Sequence, residues 1–448
     1  MCKLKNIILY LSCCMVFLLL GYDIYLLSIY ATDVPFWDIW DLLPKGNYRH
    51  LFSFYNENMQ VFYFIISEIM YHFTNWNLRY FVFVNFAVYS ILIAIYWKIL
   101  ASTENIKKIP CYPMFLIILL TPMLGYNWLW VFLVQTHTYI LFFLLAIYFG
   151  FSKNDGKYSA YLCAIFLFLS MISMNIPLAV GGATAYIIKE IINARSKNTN
   201  KSLKKCAIFI TTLGILIFAL SCITNIGKFV DFRPHENVIT MRFIKNVSFY
   251  LINSLNVFAF ADRLTWKICL PLLVIHITIL SIVFFEQYKM KEKQALWGII
   301  FGFLVMICGV VSYRQEEVYN YNFGFIRHNE TAFMVVPAYL SVLLLSKYRI
   351  AKIYGIVIMC SMIFGVGQDI YAKRFQFFGE LYYKNGCLCL NHYYNLKTIS
   401  DWQCTMNFPV ARPDVMEKAK EMNLSFIKTI QSCSKQSYSG RTHKILEK

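Results

Sequence analysis

Charge is what this sequence has least of. Only 15% of its 448 residues are Asp, Glu, Lys or Arg, against 58% hydrophobic, and the mean hydropathy is +0.52. That balance excludes an ordinary soluble domain, whose charged share is about a quarter, and a disordered chain, which needs low hydrophobicity. Acids are scarcer than bases, 24 against 42. The resulting net charge of +18 does not describe a nucleic-acid surface, because the cations sit in short connectors and not on one basic face, and no RNP-like motif occurs. The familiar catalytic signatures are missing too. The eight histidines form no H-x-x-x-H or H-x-x-E-H, and there is neither a serine-hydrolase elbow nor a phosphate-cradling glycine loop. Cys387-Leu-Cys389 lacks a second pair at finger spacing. Most of the 14 cysteines, Cys13, Cys14, Cys163, Cys222, Cys308 and Cys360 among them, lie in apolar runs where Cys acts as a small hydrophobe. No fixed-period repeat or transporter-like half-to-half similarity is visible.

What is present is a series of apolar runs long enough to cross a bilayer, about 20 residues each, separated by short Lys/Arg clusters. Lys3 and Lys5 precede a first run, 7–30, too long for a signal-peptide core and without an A-x-A cleavage site. Its N-terminus is expected inside. Further spans are expected over 78–100, as a hairpin within 113–147 broken by the proline, glycine and polar residues of its middle, and over 158–174, 178–192, 206–224, 266–285, 296–311, 331–345 and 353–366. The expected total is about eleven, with every Lys/Arg cluster on one side. The fold class is therefore all-α and polytopic, with residues 1–367 as the transmembrane region and 368–448 as an outer tail. Gly298 and Gly302 form one G-x-x-x-G, uninformative without a partner helix.

With that topology the polar residues segregate. The inner loops hold little but lysine, whereas the first outer loop reads T-D-V-P-F-W-D-I-W-D-L-L-P and then F-Y-N-E-N-M-Q, placing Asp33, Asp38, Asp41 and Glu57 at the end of a span. Carboxylates there must be hydrated, paired or used. Helical spacing over 34–43 puts Asp38 and Asp41 on one face of a short interfacial helix. Asp33, at the span end before a proline, is the acid expected to be structural. A second interfacial helix or a short re-entrant span is expected over 60–73.

Paired acids directly after a first span resemble the pattern of the membrane-embedded C-type glycosyltransferases, which take sugars from polyprenyl-phosphate donors. W-D-I-W-D, then Asn56-Glu57-Asn58, N-W-L-W-V-F-L-V-Q over 127–135, Arg327 opening a late span with Pro337, and a cysteine-containing tail with F-P at 408–409 are similar to bacterial members that decorate surface polysaccharide. Length, span number and tail are most similar to phage- or island-encoded O-antigen glucosyltransferases that convert serotype. The chain departs from the commonest acidic versions in having W-D-x-W-D where they have adjacent acids, and N-E-N where they have N-E-H-R.

The resemblance implies a hexosyltransferase of the bacterial inner membrane, with a cytoplasmic N-terminus and a periplasmic tail. It would move a hexose, glucose by this comparison, from a polyprenyl-phosphate sugar to lipopolysaccharide O-antigen or another surface glycan, with inversion. Membrane lipids would surround it, a donor synthase and a flippase would supply it, and nucleic acid is not among its expected partners. Asp38 or Asp41, with Glu57 as the alternative, would be the general base. Arg327 and His328, then Arg314 and Arg233, would meet the leaving lipid phosphate. Trp37, Trp40, Asn127, Trp128 and Gln135 would seat sugar or acceptor. No cofactor is expected; Asp38, Asp41 and Glu57 would suit a divalent cation, which their spacing does not demand. Plainer roles compete with each assignment. Trp37 and Trp40 fit an interfacial aromatic belt, Asp38 and Asp41 fit helix-dipole charges, Arg327 and His328 fit a snorkelling pair, and Asn127 and Gln135 fit partners for broken-helix backbone. The rival functions are a lipid-linked-sugar flippase or transporter, which calls for charged or polar residues at the midplane of several spans and for internal pseudo-symmetry, neither of which the sequence is read to show, and an O-antigen polymerase, which calls for paired arginines in large central outer loops, here modest. In the tail, Cys387 or Cys389 is placed to pair with Cys404, with Cys433 also present, although sequence does not fix the connectivity.

Overall fold

In hydrocarbon every backbone polar group must be satisfied within the protein, so apolar runs of this length fold as helices. A computed structural model describes residues 2–33, 35, 39, 42–46, 51–52, 54–55, 58–151, 158–173, 176–196, 199–223, 243–244, 246–247, 251, 266–313, 333–380 and 413–433. Helix α1 (Cys2–Tyr30) is followed by a minimal antiparallel ladder, β1 (Phe54–Tyr55) with β2 (Asn58–Met59). Then come α2 (Val61–Thr74), α3 (Leu78–Ser102), a 3-10 helix over Tyr112–Leu120, α4 (Gly125–Leu129), α5 (Val134–Gly150), α6 (Ser159–Ile172), α7 (Ile176–Ser196) and α8 (Thr199–Ile223). The second half contributes α9 (Trp266–Gln287), α10 (Gln294–Tyr313), α11 (Val336–Leu344), α12 (Arg349–Tyr371), α13 (Arg374–Glu380), α14 (Pro413–Glu421) and α15 (Phe426–Cys433).

Among the described residues, seven helical segments are long and apolar enough to cross a membrane: Lys3–Tyr30, Leu78–Ser102, Val131–Gly150, Asn200–Ser221, Leu270–Gln287, Lys291–Gly309 and Arg349–Tyr371. This is the make-up of an all-α, multi-pass membrane protein. The other four expected spans are helical but differ in kind. The first arm of the expected hairpin is a nine-residue 3-10 helix, which at a rise of about 2 Å per residue covers about 18 Å. α6 has 14 residues and α11 only nine. α7 is 21 residues long but carries Lys189, Glu190 and Arg195. α11 and most of the 3-10 helix are buried, so protein, not lipid, surrounds these shorter pieces. α12 continues to Tyr371, past the expected boundary at 367, and α13 folds back so that Phe375, 1% exposed, lies 6.0 Å from Trp128 and 6.1 Å from Tyr30 between ring centroids.

One close helix crossing follows from the absence of side chains. A Cβ on Gly181 of α7 would lie 2.9 Å from the Gly302 Cα of α10, and a Cβ on Gly302 would overlap the Phe143 ring of α5. Gly298, four residues back, faces Ile147 and Phe151 at 3.1 Å. The G-x-x-x-G therefore has partners, and small residues let these backbones approach. Replacing Gly302 with Val is expected to lower detergent stability by about 1–3 kcal/mol through overpacking. The matched Gly214→Val change, at a site with nothing within 4 Å, should leave the thermal midpoint in detergent unchanged.

Candidate functional site

Among the described residues the irregular stretch from Tyr112 to Leu133 stands apart, because its broken helices leave carbonyls without helical partners. α3 supplies those partners from one face. Asn85, Tyr89 and Tyr96, four and seven residues apart, recur at helical spacing. Tyr89 OH donates to the Leu119 carbonyl at 2.5 Å. Asn85 Nδ2 donates to the carbonyls of Asn127 and Trp128 at 3.1 and 3.0 Å. Tyr96 OH donates to the Met334 carbonyl at 2.7 Å and accepts from Ala338 N–H at 3.1 Å, holding the start of α11. Asn85 Oδ1 is 2.6 Å from His137 Nδ1. Since the Asn85 amide nitrogen is directed at carbonyls, its oxygen accepts, and His137 carries its proton on Nδ1 in this arrangement.

Three of the sequence-expected residues lie in the stretch so organised. Trp128 is fully buried, with Phe86, Tyr89 and Phe375 centroids 5.1, 5.6 and 6.0 Å away, so its ring is a packing element and not an open sugar platform. Asn127 is buried, and its backbone carbonyl is what Asn85 holds. Gln135, in the first turn of α5, is fully buried, and neither its amide oxygen nor its nitrogen has a hydrogen-bond partner. The plain expectation that Gln135 satisfies broken backbone is thereby corrected: Asn85 does that work. Asp38, Asp41, Glu57, Arg327, His328, Arg314, Arg233, Trp37 and Trp40 lie outside the described residues. So do the cysteines at 387, 389 and 404.

The loop after α1 reaches this stretch through its described residues. Ile39 and Leu42 are 1% and 3% exposed in the same core cluster as Trp128 and Phe132. Tyr63 of α2 donates to the Leu42 carbonyl at 3.4 Å, and its ring lies 5.8 Å from Phe132. Lys45 N–H donates to Glu68 Oε1 at 2.7 Å, tying the loop's far end to α2. The ladder pairs Tyr55 with Asn58 on either side of 56–57.

Asp33 has the structural part expected of it. Its Oδ1 accepts the Leu78 N–H at 2.8 Å, at the first residue of α3. Its Oδ2 accepts from Ser425 Oγ at 2.6 Å, Thr429 Oγ1 at 3.3 Å and Asn77 Nδ2 at 3.3 Å. Burial pushes this carboxyl above its ordinary range, and the Ser425, Leu78 and Thr429 hydrogen bonds pull it back. Beside it Asn75 and Trp76 adopt left-handed φ of 51° and 58°. For a bulky residue that is strain, held by the Trp76 Nε1 hydrogen bond to Ser67 Oγ at 2.8 Å and an edge contact with Phe426 at 6.1 Å. The chain near 430 is thus fastened to the loop near 33 and the α2–α3 turn.

Sequence reading missed ionisable groups inside helices. Asp23, in α1, is fully buried with neither carboxyl oxygen hydrogen-bonded. Lys189 and Glu190 form a buried pair at 2.7 Å in α7. His276 is buried in α9, its Nδ1 3.2 Å from Tyr354 OH, and Asp369 in α12 accepts from Thr121 Oγ1 at 2.8 Å. The available signal was each lone polar residue in an apolar run, costly in a membrane and therefore held there for a reason.

Replacing Asp33 with Ala strands buried donors from two elements and is expected to cost about 2 kcal/mol. Limited proteolysis should then cut within 413–433 faster than in the wild type, with membrane insertion unchanged. No family model matches the chain, and no curated protein or solved structure was found to be similar to it.

Proposed function

We propose that this chain is a membrane glycosyltransferase of the C type, with about eleven membrane-embedded helical segments, transferring a hexose from a polyprenyl-phosphate sugar to O-antigen or another surface glycan. The observation that carries the reading is Gln135. Its amide is a complete donor and acceptor set, shut away from lipid and left without a protein partner, at the start of α5, the helix that follows directly on the Phe132 segment against which Tyr63 packs. Sugar hydroxyls, which both donate and accept, are the chemistry that would satisfy it.

In this reading the acceptor hydroxyl attacks the anomeric carbon while Asp38 or Asp41, or Glu57 in their place, takes its proton. The bond from the anomeric carbon to the phosphate oxygen breaks with its electron pair, leaving polyprenyl phosphate. Arg327 and His328, with Arg314 or Arg233, would stabilise the charge on that phosphate. The displacement is single and inverts the anomeric centre. The site faces the periplasm in a bacterial inner membrane, and the N-terminus is cytoplasmic. The donor's synthase and flippase are the partners this implies.

Two outcomes test the proposal. Gln135→Leu keeps the side chain's approximate volume and removes an unsatisfied amide that costs about 1–3 kcal/mol. It should hold or raise the thermal midpoint while reducing hexose addition to the surface glycan. Asp38→Ala, Asp41→Ala and Glu57→Ala, expressed at equal level, should differ from wild type in surface-glycan composition for at least one of the three. If all three decorate the glycan as well as wild type, the base assignment fails. If wild type instead moves lipid-linked sugar across proteoliposomes without forming a glycosidic bond, the transporter reading, which Asp23 and His276 favour, replaces it; lengthened glycan chains would point to the polymerase.

A further inference from the structure

Away from this stretch, the ends of α7 and α8 enclose a cleft of about 360 Å³. Its floor is Glu190, its walls are Ile191, Leu203 and Cys206, and its rim carries Arg195 and Ser202. The floor presents no repelling charge, because Glu190 Oε1 is 2.7 Å from Lys189 Nζ, which also donates to the Gly150 carbonyl at 2.6 Å. The walls are apolar and open, with Ile191 46% and Leu203 57% exposed. Arg195 puts a cation at the cleft itself. The sequence around it is strongly basic, with Arg195, Lys197, Lys201, Lys204 and Lys205 following one another, and no acid occurs between Glu190 and Asp231. Among the described residues Arg195, Lys201 and Lys204 have no ion-pair partner. The 25-residue α8 also begins here, turning its N-terminal peptide dipoles to the same rim.

We propose that this cleft binds an anionic phospholipid of the leaflet in which the 195–205 cations lie, with its phosphate at Arg195 and the start of α8 and its acyl chain along Ile191 and Leu203. Charge complementarity selects the anionic lipid: basic pockets between membrane helices bind acidic headgroups. The apolar walls select a lipid over a free anion, which would use only the rim. A zwitterionic lipid would use the walls but bring its own cation to a cationic rim. This inference does not depend on the chemistry proposed above.

Cys206, in the cleft wall with a free thiol, is a built-in reporter. The full chain, purified and delipidated in detergent, is treated with a small maleimide, and labelling of each cysteine is followed by peptide mass spectrometry. Phosphatidylglycerol in mixed micelles should slow labelling at Cys206 by about tenfold, the ratio of bound to free protein at ten times the dissociation constant. Phosphatidylcholine and inorganic phosphate should not. Cys360, exposed on α12, reports general shielding by lipid and should respond equally to both lipids. The Arg195→Ala, Lys204→Ala double variant should lose the protection at Cys206. Equal protection by phosphatidylcholine, protection by inorganic phosphate alone, or unchanged protection in the double variant overturns the proposal. The wild-type lipid comparison decides the matter by itself if that variant fails to fold.

Discussion

The broken helical stretch from Tyr112 to Leu133 depends on one constraint: a carbonyl freed from a helix inside the membrane must find a donor, and no water is there to supply it. α3 meets that constraint with three side chains on one face. Asn85 and Tyr89 take the carbonyls of the broken stretch from Leu119 to Trp128, and Tyr96 takes both a carbonyl and an N–H at the start of α11. Because these bonds are buried, each is costly to leave unmade. The broken stretch, α5 through His137, and α11 are thereby registered against a single regular helix.

That registration gives the rest of the site its frame. α2 rests on α3 through the Tyr63–Phe81 ring pair at 5.8 Å and carries the loop after α1 on Tyr63 and Glu68. Asp33 then joins the start of α3 to Ser425 and Thr429, nearly four hundred residues later in the chain. The loop that bears the candidate acids is therefore clamped at its described ends, by Asp33 on one side and Lys45 on the other. In the proposed function such clamps hold the reacting groups, since small misplacements cost large factors in rate.

Much of this architecture could be read from residues, and the failures have physical causes. Long apolar runs declared the helices because hydrophobic length is additive along a chain. The 3-10 helix over Tyr112–Leu120 could not be told from an α-helical span, since an all-apolar run carries no periodicity to separate them. The role of Asp33 was legible from its place beside a span end and a proline. Asn85 was not, because one amide hardly changes the hydropathy of 25 residues, and its meaning lies in carbonyls more than forty residues away. Asp23 and the Lys189–Glu190 pair were passed over for the same reason. Trp128 was read by residue type as a sugar platform, and its neighbours Phe86, Tyr89 and Phe375 decide otherwise.

The two buried amides, Asn85 and Gln135, show why partners and not residue types carry functional meaning. Both are fully shielded from solvent. Asn85 spends its donors on two carbonyls within 3.1 Å and its acceptor on His137, so its burial is explained by the fold alone. Gln135 has the same chemical capacity one carbon longer and uses none of it. A side chain with three rotatable bonds has ample means to turn toward a nearby carbonyl, yet no hydrogen bond is made. In a membrane protein that choice costs stability with no structural return, and stability withheld from the fold is what a ligand can restore on binding. The fold thus accounts for Asn85 completely, and in the proposed function a sugar hydroxyl supplies the partner that Gln135 lacks among the described residues.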